Sequence, residues 1–566
     1  MAIDAQIEVG PAMVVSPANL ERLIAAIHTA TSVKPADSEL KPARFSIGLR
    51  PEQSSRDVTE AVFAALAAFE PAVAPLSELD SRTLIVTLQN RVFLQKPENM
   101  FEAAYAMADT FVVEFAEPEI LTHVMPVPDP AREGPATESI DDFPPGCWAP
   151  QDPGLDKKRF WALSALQVQQ AWAFSKRTGR PACGQGTIVA QPDTGVARHP
   201  ELDPRRRVQG HNFVEGGNDP TDPLDYVGNP GHGTGTGSVV VGSESNDMAG
   251  AAPRATHMPI RAVESVVRVS QITVAEAIDF AVAHKAHVIS ISLGGIPSIS
   301  LYRALQRAIG ADVIVITAAG NCVEAVVWPA RYDLCIAVAG TNVSDQPWRG
   351  TCHGPDVAIS APGENVYRAH VELKSGQILT NVGQGQGTSF ATALIAGVAA
   401  CWLAHHDRAS VIKAARAYKE PVQDMFRRML KATARRPSGW DTTDMGAGIA
   451  SAQNLLAANL DIGLGQEGAV ATGSEPPEAA TKRFVSENAG MEAASAPIDW
   501  NRYGPEIALA LLNRKTGRPP PTRGTAMEAA SVALRTLPPV STSLSSELAN
   551  HQALASVLGC TVGPPS

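Results

Sequence analysis

The chain is predicted to be α/β, with a mostly parallel sheet covered by helices and a smaller α+β unit ahead of it. Two observations carry this. The runs 186–192, 288–291 and 312–318 are short, apolar and end on small or polar residues, as strands buried on both faces do. Helix patterns rich in small residues follow His232 and Ser389. The first 120 residues follow a different rhythm, in which short strand and helix patterns alternate.

In that first part, 1–40 form an N-terminal segment. Within 41–120, Phe45–Arg50 reads as a strand, Ser55–Phe69 as an amphipathic helix and Arg82–Leu88 as a strand. Pro97–Asp109 then reads as a helix and Phe111–Pro118 as a last strand. This β-α-β-α-β succession predicts a small α+β domain of ferredoxin-like type. Residues 121–158 carry Pro126, Pro128, Pro130, Pro135, Pro144, Pro145, Pro150 and Pro153, which predicts a linker without packed elements. Arg132 and Lys157-Lys158-Arg159 are its candidate cleavage points.

The composition, 44% hydrophobic and 19% charged over 566 residues, allows one large core and one or two smaller units. A net charge of −11 disfavours nucleic acid as partner. No run of 18 or more apolar residues is expected to span a bilayer. The start, Met1 to Glu8, lacks a basic stretch followed by an apolar core, so no standard secretory signal is expected in this numbering, which leaves the cytoplasm or export by another route. The seven cysteines have no regular spacing; free thiols are expected, with pairing among Cys322, Cys335 and Cys352 in an oxidising compartment.

Four motifs carry the chemistry. Gly186 to Val196 reads as a buried strand that ends on the carboxylate of Asp193. Gly231-His232-Gly233-Thr234-Gly235 puts a histidine at the head of a glycine-rich helix. Asp312 to Asn321 reads as an apolar strand that ends in small residues and a carboxamide, and Gly387-Thr388-Ser389-Phe390-Ala391-Thr392 places a serine at a helix start. Separately, an Asp before Thr-Gly is often a turn residue, a His among glycines a loop residue, and Asn321 or Ser389 a simple cap. In the order Asp, His, Ser they resemble the subtilisin-like serine proteases, the subtilases.

That resemblance implies a three-layer subtilisin-like fold over 159–460 and a serine endopeptidase acting on extended polypeptide. Ser389 would be the nucleophile, His232 the general base and then acid, and Asp193 its orienting partner. Asn321 would donate to the oxyanion together with the Ser389 backbone N–H. Ser292, Leu293, Gly294 and Gly295, with Ala318, Ala319 and Gly320, would wall the substrate as strand edges. Gly235 and Ala393 depart from the family pattern, and Val326-Val327-Trp328 is bulkier than the small residues common at the pocket floor.

The ending Val113 to Pro118 resembles the close of subtilase pro-domains, which implies an autoprocessed zymogen with an intramolecular pro-domain as partner. Phe160 to Leu163 with Trp172, and Gly439 to Gly448, resemble the start and the closing segment of the catalytic domain. Residues 461–566, rich in Ala, Pro and Ser, are expected to be a flexible or partner-binding extension with short helical stretches at 505–514, 526–537 and 545–558. No cofactor or metal is required. Calcium stays open, because Glu201 sits near a family ligand position and Ser243-Glu244-Ser245-Asn246-Asp247 offers oxygen groups, although lone acidic loops are usually solvated. The alternatives are a catalytically silent subtilase-like peptide-binding protein and, more remotely, a nucleotide-binding protein using Gly383-Gln384-Gly385-Gln386-Gly387.

Overall fold

A computed structural model describes residues 15–35, 40–120, 147–226, 228–245, 247–266, 269–465, 473, 475–515 and 539–560, which divide into two compact units. The larger spans 121–488 and 511–518; the smaller holds 1–120, 489–510 and 519–566.

In the larger unit seven strands form one parallel sheet, in the order Val357–Pro362, Ile336–Thr341, Ile314–Ala318, Val288–Ile291, Ile188–Asp193, Thr256–Arg261, His211–Asn212. The four residues of Val288–Ile291 and the five of Ile314–Ala318 are all buried, which explains their unbroken apolar runs. Helices Gln271–Ala283 and Ile299–Gly310 pack on each other, as do His232–Val241 and Thr388–His406, and both pairs also contact the strands. The fold class predicted from sequence is the one observed.

Among the described residues one helix, Thr388–His406, is long and apolar enough by length and composition to cross a membrane, with a mean hydropathy of 1.4, and its apolar stretch is buried in the core. Its small residues permit this. A Cβ at Gly397 would stand 2.6 Å from that of Ala251.

Trp161 and Trp172 are buried and donate to the carbonyls of Asn365 (2.9 Å) and Ala251 (3.0 Å). Gly448 O accepts from Ser360 N at 2.9 Å and Ala450 N donates back to Ser360 O at 3.0 Å, so the segment after 439 closes on the edge strand. The unit does not stop near 460. Helix Pro477–Ala489 buries Phe484 with its ring 5.2 Å from that of Trp328, and the buried Arg331 pairs with Glu487 at 2.8 Å. The segment 475–488 read as low-complexity sequence because its partners, Trp328 and Arg331, lie far off in the chain.

Two further expectations change. Among the described residues of the predicted linker, 147–158, Cys147, Trp148, Ala149 and Leu155 are buried, so this part is not free of packing. Arg132 lies outside the described residues, Lys157 and Lys158 are exposed, and Arg159 is paired with Asp247. Cys322 is joined by a disulfide to Cys147, not to Cys335 or Cys352, which are buried free thiols. The bridging partner lies 175 residues away, beyond any sequence-proximity argument.

The smaller unit carries a four-stranded antiparallel sheet in the order Pro71–Ser77, Asp80–Leu88, Ala43–Gly48, Phe115–Pro118, with helices Ser55–Ala65 and Pro97–Phe111 between strands. This is the βαββαβ arrangement, with one strand more than predicted. Pro71 and Pro75 hid that strand, and they fit because it lies at the edge of the sheet. The C-terminal residues 489–510 and 539–560 belong here and do not form a loose tail. Tyr105 donates to Glu506 at 2.9 Å, Arg502 pairs with Asp109 at 2.7 Å, and Ser543 N donates to Glu102 at 2.8 Å. The predicted stretch 526–537 lies outside the described residues.

Candidate active site

Strand Ile188–Asp193 ends on Asp193, and helix His232–Val241 begins on His232. Asp193 Oδ1 stands 2.8 Å from His232 Nδ1, with both side chains buried. The other carboxylate oxygen accepts from Thr236 Oγ1 at 3.1 Å, and Thr236 in turn accepts from Gln191 Nε2 at 2.6 Å. Gln191 Oε1 lies 2.7 Å from Nε2 of His257. Burial pushes the pKa of His257 down to about 3, so this ring stays neutral and Gln191 keeps one orientation.

The histidine's backbone is fixed as well. Thr194 Oγ1 accepts from Gly233 N at 3.1 Å and donates to Asp222 at 2.7 Å, and Asp222 also accepts from Gly231 N at 3.1 Å.

Helix Thr388–His406 brings Ser389 into its first turn. Gly387 before it has φ +144°, a conformation that disfavours a side chain, and a Cβ there would stand 3.3 Å from Asn321 Nδ2. Asn321 Oδ1 accepts from Thr388 N and Thr388 Oγ1, both at 2.9 Å, with the NH₂ on the side of Gly387. Ser292 Oγ donates to Ser389 O at 3.0 Å, locking the strand end to the serine's turn.

His232, Asn321 and Ser389 line one pocket, with Ser292, Leu293, Gly294, Ala318 and Gly320 among its walls. Gly295 and Ala319 are not on its lining. Gly295 N donates to Trp328 O at 2.8 Å, and the buried Ala319 is tied by its backbone to Val338 and Val327. Val327 fills the space between the two glycine edges: a Cβ on Gly294 or Gly320 would come within 2.8 or 2.9 Å of its Cγ2. Trp148 and Gln386 also line the pocket and were missed by sequence reasoning, as were Gln191, Thr236 and Thr388. For Gln191 and Thr236 a signal existed: Gln191 shares a strand face with Asp193, and Thr236 stands one helical turn after His232. For Trp148 there was none.

At Gly235 a Cβ would lie 3.2 Å from Arg368 Cδ, so Arg368 occupies the space a larger residue would need. The glycine run 383–387 does not form a phosphate loop: Gly383 and Gly385 sit in strand Gln377–Gly385, paired with Arg368 and Val366. Among the described residues no group of three or more His, Cys, Asp or Glu could hold a metal, Asp247 is paired with Arg159, and burial raises the pKa of Glu201. The loop's Asn246 lies outside the described residues.

Residues 184–454 match the Subtilase family. Thermitase of Thermoactinomyces vulgaris is 32% identical over 273 residues, which cover 47% of this chain and 90% of that protein. A thermostable alkaline protease of Halalkalibacterium halodurans is 34% identical over 42% of this chain, and the matched stretch spans 61% of the relative's length. In fold the chain is similar to fervidolysin of Fervidobacterium pennivorans, a keratinolytic enzyme related to subtilisin, with a TM-score of 0.53 at 21% identity, covering 76% of this chain and 63% of that one. The chain belongs to the subtilase family, whose members are serine-type endopeptidases.

Proposed function

We propose that the chain hydrolyses peptide bonds in extended polypeptide through an acyl-enzyme on Ser389. The observation that carries this is the buried Asp193–His232 pair, 2.8 Å apart, beside a pocket that also holds Ser389 and Asn321.

With Nδ1 engaged by Asp193, Nε2 of His232 is the nitrogen that serves the serine. It takes the Ser389 proton as Oγ attacks the carbonyl carbon, and returns it to the leaving amine. Asp193 fixes the tautomer and stabilises the imidazolium. Asn321 Nδ2, oriented through Thr388, and the Ser389 backbone N–H donate to the oxyanion. Water then repeats the sequence on the acyl-enzyme, with His232 again as base. No step calls on a metal.

The unit 41–120 is read as a pro-domain and 121–158 as the region cut during maturation, which makes the chain an autoprocessed zymogen. The test is incubation of the purified chain with a denatured polypeptide, followed by mass spectrometry beside Ser389→Ala. Fragments and a shortened chain are expected only for wild type. Binding of peptide without cleavage by either form would favour the silent alternative.

A further inference from the structure

Trp148 reaches the pocket from a segment that belongs to neither of the predicted substrate edges. It is 6% exposed, its ring lies 5.2 Å from that of Trp348, and it shares the pocket wall with Val266, Leu293, Val323 and Val327. These apolar side chains form one part of the wall, and Asn229, Ser292, Gln386 and Thr388 add polar groups to it.

Its position is fixed from both sides. Before it, Cys147 is bonded to Cys322, the residue after Asn321. After it, Ala149 N donates to Gln386 Oε1 at 3.0 Å, and the same oxygen accepts from Trp348 Nε1 at 3.2 Å. Asp152 N donates to Gln384 Oε1 at 2.9 Å. Without the disulfide the covalent attachment on the Cys147 side is lost, while the bonds to Gln384 and Gln386 and the ring contact with Trp348 remain.

We propose that Trp148 is a specificity-determining residue that selects an apolar substrate side chain next to the scissile bond, and that the Cys147–Cys322 disulfide makes this selection sensitive to dithiol reductants. This rests on the peptidase reading above. In the reductive step the dithiol gives two electrons and two protons to the Cys147–Cys322 bond. Two protein thiols form and the dithiol closes to its cyclic disulfide. Trp148 then loses its covalent anchor and the wall loosens.

The experiment measures kcat/KM for two peptides that differ only in the residue before the cut, leucine or serine. It uses the wild-type full chain with and without a dithiol, Trp148→Ala and Trp148→Phe, with alkylation and mass spectrometry reporting the state of Cys147 and Cys322. The leucine-to-serine ratio is expected to fall about tenfold in Trp148→Ala and in the reduced wild type, and to be largely retained in Trp148→Phe. A ratio that does not move on full reduction, or in Trp148→Ala, overturns the proposal. Ser389 labelling of wild type by a small fluorophosphonate separates the cases. Labelling with an unmoved ratio overturns this inference alone, and absent labelling overturns the peptidase reading and this inference with it.

Discussion

His232 Nδ1 lies 2.8 Å from Asp193 Oδ1, and the second oxygen of that carboxylate is held by Thr236, one turn further along the histidine's own helix. The carboxylate is thus clamped between two positions of a single helix, so its plane and the imidazole's are set together. A buried threonine thereby helps set the orientation of His232, the base of the proposed mechanism.

Replacing Thr236 by valine should keep the shape and remove the hydroxyl. Hydrogen bonds to charged groups contribute about 1.5–3 kcal/mol, so kcat should fall about 10- to 100-fold with little change in KM. Asp193→Asn, which disturbs the tautomer directly, should cost about 10⁴-fold. Steady-state kinetics on one peptide distinguishes the two; a Thr236→Val enzyme as fast as wild type would remove the clamp from the account.

Asn321→Ala deletes the carboxamide and also leaves the Thr388 N–H without the acceptor it has at 2.9 Å. The loss of an oxyanion donor predicts a kcat lower by about 100- to 1000-fold. Thermal unfolding should show a small accompanying loss of stability. A variant with a raised KM and an unchanged kcat would show that Asn321 binds ground state and transition state equally.

The smaller unit carries its own pH signal. Burial raises the pKa of the Glu506 carboxyl from 4.5 to about 7, against the hydrogen bonds from Ser541 and Tyr105. The folded form therefore holds this proton where the unfolded chain has lost it. The stabilisation is complete below about pH 4.5 and is lost as pH rises through about 7, a change of about 3 kcal/mol. Urea unfolding followed from pH 4.5 to 8 should show this decline in wild type, and a flatter profile in Glu506→Gln.

Because 489–510 and 539–560 fold with 15–120, a cut in the linker should not release the N-terminal fragment. In a Ser389→Ala chain carrying a site-specific protease sequence within 121–146, the two fragments should co-elute on size exclusion after cleavage. Arg502→Ala with Glu506→Ala removes the bonds to Asp109 and Tyr105 and should let them separate. Separate elution of the unmodified fragments would contradict the shared fold.

The parallel sheet was legible because strands such as Val288–Ile291 are buried on both faces and need no partner to explain their composition. As candidates, Asp193, His232 and Ser389 could be singled out because each stands at the end of a strand or the start of a helix, and Asn321 because it follows three residues after the strand Ile314–Ala318. Trp148 and Cys147 were not, since a proline-rich stretch gives no sign that a disulfide 175 residues long will pin it beside Asn321. The edge strand Pro71–Ser77 was hidden by its prolines. Helical stretches at 505–514 and 545–558 were legible, but their packing was not, because it depends on Tyr105, Asp109 and Glu102, far away in sequence.

The most direct test of the central claim is mass spectrometry of the full chain after reaction with a small fluorophosphonate. A single adduct on Ser389 is predicted in wild type and its near-complete loss in His232→Ala. An unlabelled Ser389 in correctly folded wild type, or labelling indifferent to His232, would contradict the account.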